Sequence, residues 1–332
     1  MTPSSRDASN IATARALPWP EGNSTAATTV RSASLARVLN SLYSACGAFE
    51  WITFLYLALL NMLIVAFREN LPGAPAYIAI HECIAATILI VCCLSAKSND
   101  ARLAFVRHWY PLPLYIYFFE ELRGLVHLIF SYWLDVYLIR FDYSIGHVNP
   151  SVWLTRFANP SLNDFMQFSY MTYFLFLVAL PALLYVRRDL RGFWTVMTST
   201  AIANYSIYAI SIFFPIESPH FALAALQPHL AGGASTALIN LIERFGRVHG
   251  AAFPSAHVAG SMVAILASWR YRRWLFWLCL PFFVCMMIAT VYGGYHYVAD
   301  VLAGMLTGTI GFTAGGWLIN RQGALPQSSA ML

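Results

Sequence analysis

The chain has 332 residues, of which 59% are hydrophobic and only 11% are Asp, Glu, Lys or Arg. A water-soluble domain carries about 25% charged residues, so this composition excludes an ordinary cytosolic enzyme, a disordered protein and a nucleic-acid binder. The formal net charge of +5 is small and suits a membrane protein, whose basic residues gather in loops on one side of the bilayer.

The two ends of the chain are predicted to be tails on the cytoplasmic side. Residues 1–40 are rich in Ser, Ala and Thr and show no sustained apolar period, which is typical of a flexible segment. No apolar stretch follows their first arginines closely, so we do not expect a cleaved signal peptide. Residues 321–332 form the second, shorter predicted tail.

Between these tails lie apolar runs long enough to cross a bilayer, for which a helix needs about 20 residues. They predict an all-α, polytopic bundle of about eight transmembrane helices, at 47–67, 76–96, 110–138, 165–186, 193–214, 252–269, 274–292 and 296–319. The third run contains Glu120, Glu121 and Arg123, and is the one expected to be broken, tilted or interfacial. These charges either form an internal ion pair or contact a polar head group.

The basic residues orient the predicted spans. With a cytoplasmic amino terminus, fourteen of the 20 Lys and Arg residues lie inside and five lie outside, as the positive-inside rule requires. The short basic loops at 187–191 and 270–273 fix the last five spans. The segments 139–164 and 215–251 are then extracytoplasmic.

Two histidines fall on this same predicted outer face. His257 lies in GAAFPSAHVAGS at the start of span six, and His296 lies in YGGYHYVADVLAG at the start of span eight. Converging helix N-termini offer unpaired N–H groups and partial positive charge, which bind anions such as phosphate. Ser255 has two possible roles, as the cap of its helix or as a hydroxyl donor to phosphate.

Asp300 follows His296 by four residues, so both lie on one helix face. A carboxylate bonded to one ring nitrogen fixes the tautomer of a histidine and leaves the other nitrogen free to attack. The same carboxylate stabilises the positive ring that forms when the histidine is phosphorylated. The spacing therefore indicates a histidine nucleophile with an orienting carboxylate.

These residues resemble a known family. FPSAHVAGS and HYVADV look like the second and third signature motifs of the type 2 phosphatidic acid phosphatase (PAP2) superfamily, and the HYxxDV form is similar to its branch of inositol phosphorylceramide synthases and sphingomyelin synthases. The resemblance covers roughly residues 165–320. It implies a six-helix catalytic core within a catalytic membrane domain at 141–320, preceded by N-terminal transmembrane helices at 41–140.

The resemblance also implies a reaction. A metal-independent, cofactor-free enzyme would act on a phospholipid or polyprenyl phosphate among the membrane lipids. His296 would attack phosphorus, Asp300 would orient it, and His257 would protonate the leaving oxygen. Water would complete a phosphatase reaction, and an alcohol would complete a transfer like that of an inositolphosphotransferase.

The chain departs from the phosphatase pattern where that pattern has cations. FFPIESPHFAL replaces the first motif with its lysine and arginines, and Thr290 stands where the third motif usually has Arg. The synthase branch lacks these cations too, which favours it. Arg247 and His249 are the candidate substitute phosphate ligands, and His220 is a weaker one.

Three other functions remain open at this level. A plain lipid phosphate phosphatase would use the same histidines. A non-enzymatic lipid transporter would place its polar residues near the bilayer midplane, whereas these residues lie at the predicted outer edge. A haem- or metal-binding protein would need paired histidines at similar depth, but Asp300 and the FPSAH context fit phosphoryl chemistry better.

Overall fold

A computed structural model describes residues 44–226, 231–246 and 248–322. The predicted tail at 1–40 lies outside these residues, as does the second tail from residue 323 onwards. The described chain is all-helical. It contains no β-strand, and its extended backbone pairs only at one bridge between Ile216 and Ala251.

The first described third of the chain consists of four helices. They are α1 Ala48–Ala66, α2 Ala74–Lys97, α3 Ala101–Trp109 and α4 Pro111–Leu125. Gly73, at a φ of 88°, turns the chain into α2 in a conformation that favours glycine. The Asp100 side chain caps α3 by accepting from the Arg102 amide at 2.8 Å, and Pro111 begins α4, where its missing N–H is not needed.

The remaining helices follow in a long series. They are α5 Asp135–Gly146, α6 Pro150–Leu154, α7 Pro160–Val186, α8 Leu190–Phe213, α9 Pro219–Ala222, α10 Ala234–Gly246, α11 Ala256–Tyr271, α12 Arg273–Tyr292 and α13 Val298–Arg321. Short 3₁₀ turns occur at Arg68–Asn70, Thr155–Phe157 and Ala224–Leu226. The predicted domain boundary at residue 140 falls inside α5.

Helix α8 forms the centre of the bundle and packs against α1, α4, α7, α11 and α13. Its contact with α13 depends on glycine. A Cβ atom on Gly311 would lie 2.8 Å from the backbone carbonyl oxygen of Ser199 in α8. A Cβ atom on Gly308 would lie 2.5 Å from the backbone carbonyl oxygen of Ala259 in α11. Small residues at such spacing let helix backbones approach closely, so α13 is held tightly between α8 and α11.

Six described helices are long and apolar enough to cross a membrane: α1, α2, α7, α8, α12 and α13. The structure therefore supports an integral membrane protein but does not confirm eight spans. The predicted third span at 110–138 is divided, because α4 ends at Leu125 and α5 begins only at Asp135. The predicted sixth span corresponds to α11, whose 16 residues reach about 24 Å, less than the bilayer core of about 30 Å.

The charges of the predicted third span separate into two pairs. Arg123 Nη2 lies 2.6 Å from Glu120 Oε2 on the exposed surface of α4. Glu121 is buried, and its Oε1 lies 2.7 Å from His81 Nε2 of α2. The expected ion pair is thus present at Glu120, while Glu121 joins α4 to α2.

Candidate active site

A cavity of about 300 Å³ lies where α11 and α13 begin, and both motif histidines line it. His257 belongs to the first turn of α11, and His296 lies in the loop before α13. The centroids of their rings are 5.7 Å apart. The Ser255 amide donates to the backbone carbonyl oxygen of Asp300 at 3.1 Å, and this bond joins the starts of the two helices. One phosphate group is small enough to contact both imidazoles.

The hydrogen bonds of His296 define its tautomer. Its Nδ1 lies 2.9 Å from the carbonyl oxygen of Ala252 and 3.3 Å from Oδ2 of Asp300. A carbonyl oxygen only accepts, so Nδ1 carries the proton and Nε2 carries the lone pair. Nucleophilic attack by a histidine requires such a ring, with one nitrogen protonated and held and the other available.

Asp300 is fully buried and holds the start of α13 as well as His296. Its Oδ2 accepts from the Tyr297 amide at 2.7 Å, in addition to its contact with His296. Its Oδ1 has no hydrogen-bond partner among the residues that the structure describes. The predicted pairing at a spacing of four residues is present, although the Ala252 carbonyl, which the sequence did not indicate, is the nearer acceptor of the His296 proton.

His257 is surrounded by aromatic side chains of α7. Its ring centroid lies 4.8 Å from that of Tyr170 and 4.6 Å from that of Tyr173. Its Nε2 is 2.9 Å from the Tyr170 hydroxyl. Sequence reasoning missed Tyr170, because this residue is 87 positions away and stands in an apolar helix rich in other aromatic residues.

Ser255 is the cap of α11. It is fully buried, and its Oγ accepts from the Val258 amide at 3.3 Å. It is not among the described residues that line the cavity. Of the two roles that the sequence left open, the geometry therefore supports capping.

Replacing Ser255 by Ala tests this assignment. Loss of a helix cap costs about 1 kcal/mol, so we expect a lower melting temperature in detergent. The affinity for inorganic phosphate should stay unchanged, because no phosphate contact is removed. Weaker phosphate binding with an unaltered melting temperature would instead assign the hydroxyl to phosphate binding.

The two described histidines among the candidate phosphate ligands do not line the cavity. Arg247 lies outside the described residues. His249 is half exposed, with its Nδ1 3.6 Å from Glu217 Oε1. His220 is exposed, and its amide donates to the Gly294 oxygen at 2.8 Å. Neither histidine belongs to the described set of lining residues.

The N-terminus of α13 already holds a carboxylate. The amides of Val298 and Ala299 donate to the two oxygens of Asp142, at 2.9 and 3.2 Å. Burial raises the pKa of this Asp142 carboxyl, and the two amide hydrogen bonds oppose that rise. Side chains of the protein thus accept from the Val298 and Ala299 amides at the start of α13 and from the Val258 amide at the start of α11.

A second carboxylate of α5 connects the loops around the cavity. Asp135 accepts from the amides of Glu217 and Ser218, at 2.9 and 3.2 Å. It also accepts from the Tyr297 hydroxyl at 2.8 Å. Glu217 and Ser218 line the cavity, and Tyr297 directly follows His296, so Asp135 links one wall of the cavity to the loop that carries His296.

The cavity wall is aromatic and acidic. Three carboxylic acids line it, namely Glu120, Glu217 and Glu243, and none of the described lining residues is Lys or Arg. Its aromatic members are Tyr115, Phe119, Tyr170, Tyr173, Phe174, Tyr208, Phe221 and Tyr295. An apolar pocket with few convergent polar groups is typical of a ligand site.

Comparison with known protein families relates the chain to one of them. A protein-family model described as the PAP2 superfamily matches residues 136–314, which is more than half of the chain. The matched stretch begins in α5, ends in α13 and contains His257, His296 and Asp300. No curated protein and no solved structure matches the chain significantly.

Proposed function

Because the chain belongs to the PAP2 superfamily, we propose that it is a membrane phosphotransferase that moves a phospho group from a lipid to an alcohol through a phosphohistidine. The observation that carries this proposal is the histidine pair. Two imidazoles line one cavity with centroids 5.7 Å apart, and the ring of His296 is held with Nε2 as its basic nitrogen.

In the first half-reaction, Nε2 of His296 attacks phosphorus and forms an N–P bond. The bond from phosphorus to the leaving oxygen breaks, and protonated His257 gives that oxygen its proton. Asp300 lies beside the imidazole that becomes positively charged and stabilises this charge. The products are a free lipid alcohol and a phosphorylated His296, whose phosphorus keeps the head group of a phosphodiester donor as its remaining ester.

In the second half-reaction, an acceptor hydroxyl attacks the phosphohistidine. His257, now neutral, takes the hydroxyl proton, the N–P bond breaks and Nε2 regains its lone pair. Both histidines return to their starting protonation states, so no other proton source is needed. The identity of the acceptor decides between transfer and hydrolysis.

The charge of the cavity wall supports transfer from a phosphodiester. A phosphomonoester carries about two negative charges at pH 7 and a phosphodiester carries one, so the carboxylates of Glu217 and Glu243 repel the monoester more strongly. Glu120 contributes less, because it is paired with Arg123. Hydroxyl groups of a polyol such as inositol donate hydrogen bonds to carboxylates. These two properties favour an inositolphosphotransferase-like reaction over a plain phosphatase, which is the alternative.

The orientation in the membrane is part of the proposal. The distribution of basic residues supports an orientation with both termini in the cytoplasm and the cavity on the extracytoplasmic side. Lipid tails would then stay in the hydrocarbon while the phosphate meets the two histidines. The reaction uses neither a metal nor a cofactor.

An assay of the purified protein with EDTA present tests the proposal. The donors are phosphate-labelled phosphatidylinositol, phosphatidate and a polyprenyl diphosphate, each with and without inositol. We expect label to move from the phosphodiester donor into a new phosphoester only when an alcohol is supplied, with a rate unaffected by EDTA.

Other outcomes would choose a different function. Free phosphate released equally with and without inositol would establish a phosphatase. Movement of lipid between leaflets without any change in the label would indicate a transporter, and a haem absorbance band would indicate haem ligation by the histidines.

A further inference from the structure

Helix α5 has the reverse of the usual amphipathic pattern. Its two aspartates point inward, with Asp142 fully buried and Asp135 only 6% exposed. Five of its large apolar residues are instead exposed, namely Val136, Tyr137, Phe141, Tyr143 and Ile145, while Leu138 and Ile139 are half-buried. Burying a carboxylate is costly unless it is hydrogen-bonded, so these two aspartates must be compensated by what they contact.

Both carboxylates contact the segment that carries the nucleophile. Asp142 accepts from the first two amides of α13, those of Val298 and Ala299, and Asp135 accepts from the Tyr297 hydroxyl. Three successive residues after His296 are therefore bonded to α5. These bonds join parts of the chain up to 162 positions apart.

On its amino-terminal side, toward α12, His296 is held by main-chain hydrogen bonds. Its own amide and that of Tyr295 donate to the Thr290 oxygen, at 3.1 and 2.9 Å, so the end of α12 restrains it through the main chain. On its carboxyl-terminal side, toward α13, the segment is held by hydrogen bonds to side chains, and two of those side chains belong to α5. A displacement of about 1 Å at a reacting group costs as much as 100-fold in rate.

We propose that α5 is a positioning clamp, in which Asp142 and Asp135 fix the start of α13 and thereby the direction in which Nε2 of His296 faces phosphorus. Neither aspartate contacts the reacting atoms, so both act through the backbone and hydroxyl of the segment that they hold. The inference rests on the proposed reaction, but the clamp can also be measured without substrate.

The test variant is Asp142→Asn in the full chain. We expect kcat for the donor with the fastest wild-type turnover to fall roughly 10- to 100-fold, with KM unchanged within about twofold. The second measurement is the carbethoxylation of His296 by diethyl pyrocarbonate at different pH values, read by mass spectrometry. Its midpoint should move to lower pH, because a negative charge that favours the protonated ring has been removed.

The direction of that shift takes account of the charged and titratable groups described around His296. The ionisable acids and bases are Asp300 of α13, Asp142 and Asp135 of α5, His257 of α11, and Glu217 and Glu243 of the cavity wall. The phenols are Tyr170, Tyr295 and Tyr297. Only Asp142 changes in the variant. A loss of stability alone would lower the active fraction at all pH values and leave the midpoint in place.

Asp189→Asn is the matched control. Asp189 caps α8 by accepting from the Gly192 amide at 3.0 Å, so its replacement also removes a carboxylate from a helix start. We expect a similar loss of thermal stability with wild-type kcat and a wild-type midpoint for His296. If Asp142→Asn does not fold, Tyr297→Phe removes one donor of Asp135 and should lower kcat in the same direction.

The outcomes separate the clamp from the reaction. A folded Asp142→Asn protein with wild-type kcat and labelling midpoint would overturn the clamp, even if His296 proves essential. If the midpoint shifts in Asp142→Asn but the wild-type protein shows no transfer with any donor, the clamp would be supported and the proposed function overturned.

Discussion

Replacing His296 by Asn should abolish phosphoryl transfer, with a loss of at least about 10⁴-fold, as expected when a nucleophile is removed. The amide of Asn can still donate to the Ala252 carbonyl, which the imidazole contacts at 2.9 Å. The variant therefore keeps one hydrogen bond of the loop and loses the attacking nitrogen. The measurement is covalent labelling of the denatured protein by a phosphate-labelled donor, together with turnover.

His147→Asn provides the control for this variant. His147 is exposed and ends α5 in the left-handed region at a φ of 54°, which Asn tolerates well. Its replacement changes the same residue type outside the cavity, so labelling and turnover should remain at wild-type levels. Retention of acid-labile label in the His296→Asn protein would assign the nucleophile elsewhere.

Replacing Gly308 by Ala should lower the free energy of unfolding by about 1–3 kcal/mol, the usual cost of overpacking. The added methyl group would lie 2.5 Å from the Ala259 oxygen and 3.0 Å from its Cα. Both atoms are backbone atoms of α11 and cannot rotate away. The two helices must separate, and this separation is measured as a lower melting temperature in detergent.

Gly316→Ala is the comparison on the same helix. A Cβ atom at Gly316 would meet only Thr195 Cγ2, at 4.0 Å, which is ordinary van der Waals contact. Ala favours a helix over Gly by up to about 1 kcal/mol, so this variant should be as stable as the wild type or more stable. Equal melting temperatures for the two variants would mean that α13 does not depend on a close approach at Gly308.

The fold was predictable where apolar runs are long and uninterrupted. Six of the predicted spans correspond to helices that can cross a membrane. The run at 110–138 carries Glu120, Glu121 and Arg123, which indicated an interruption, and its chain leaves the helix after Leu125. The position of that interruption was not predicted. Beyond it the Leu134 amide donates to the Pro215 carbonyl oxygen at 2.9 Å, and such a long-range bond leaves no local signal in the sequence.

The candidate site was predictable where spacing is local. Asp300 follows His296 by four positions, and the motif around His257 defines the start of its helix. These three side chains were therefore expected to lie close together, and in the structure they do. Tyr170 and Asp142 were missed because their contacts join distant parts of the chain. A helix start predicts that some anion will bind there, but it does not indicate whether that anion is a ligand or a side chain.

The glycine contacts of α13 have a consequence for how substrates are accommodated. At Gly304, Gly308 and Gly311 of α13, the atom nearest to an added Cβ is a backbone oxygen of α8, of α11 or of the residue that caps α11, and a backbone atom cannot rotate away. The two imidazoles at the beginnings of α11 and α13 therefore share a rigid frame. Tyr170 and Tyr173 pack against His257 and belong to that frame, so adaptation to ligands of different shape would fall to other lining side chains such as Phe119 and Phe174.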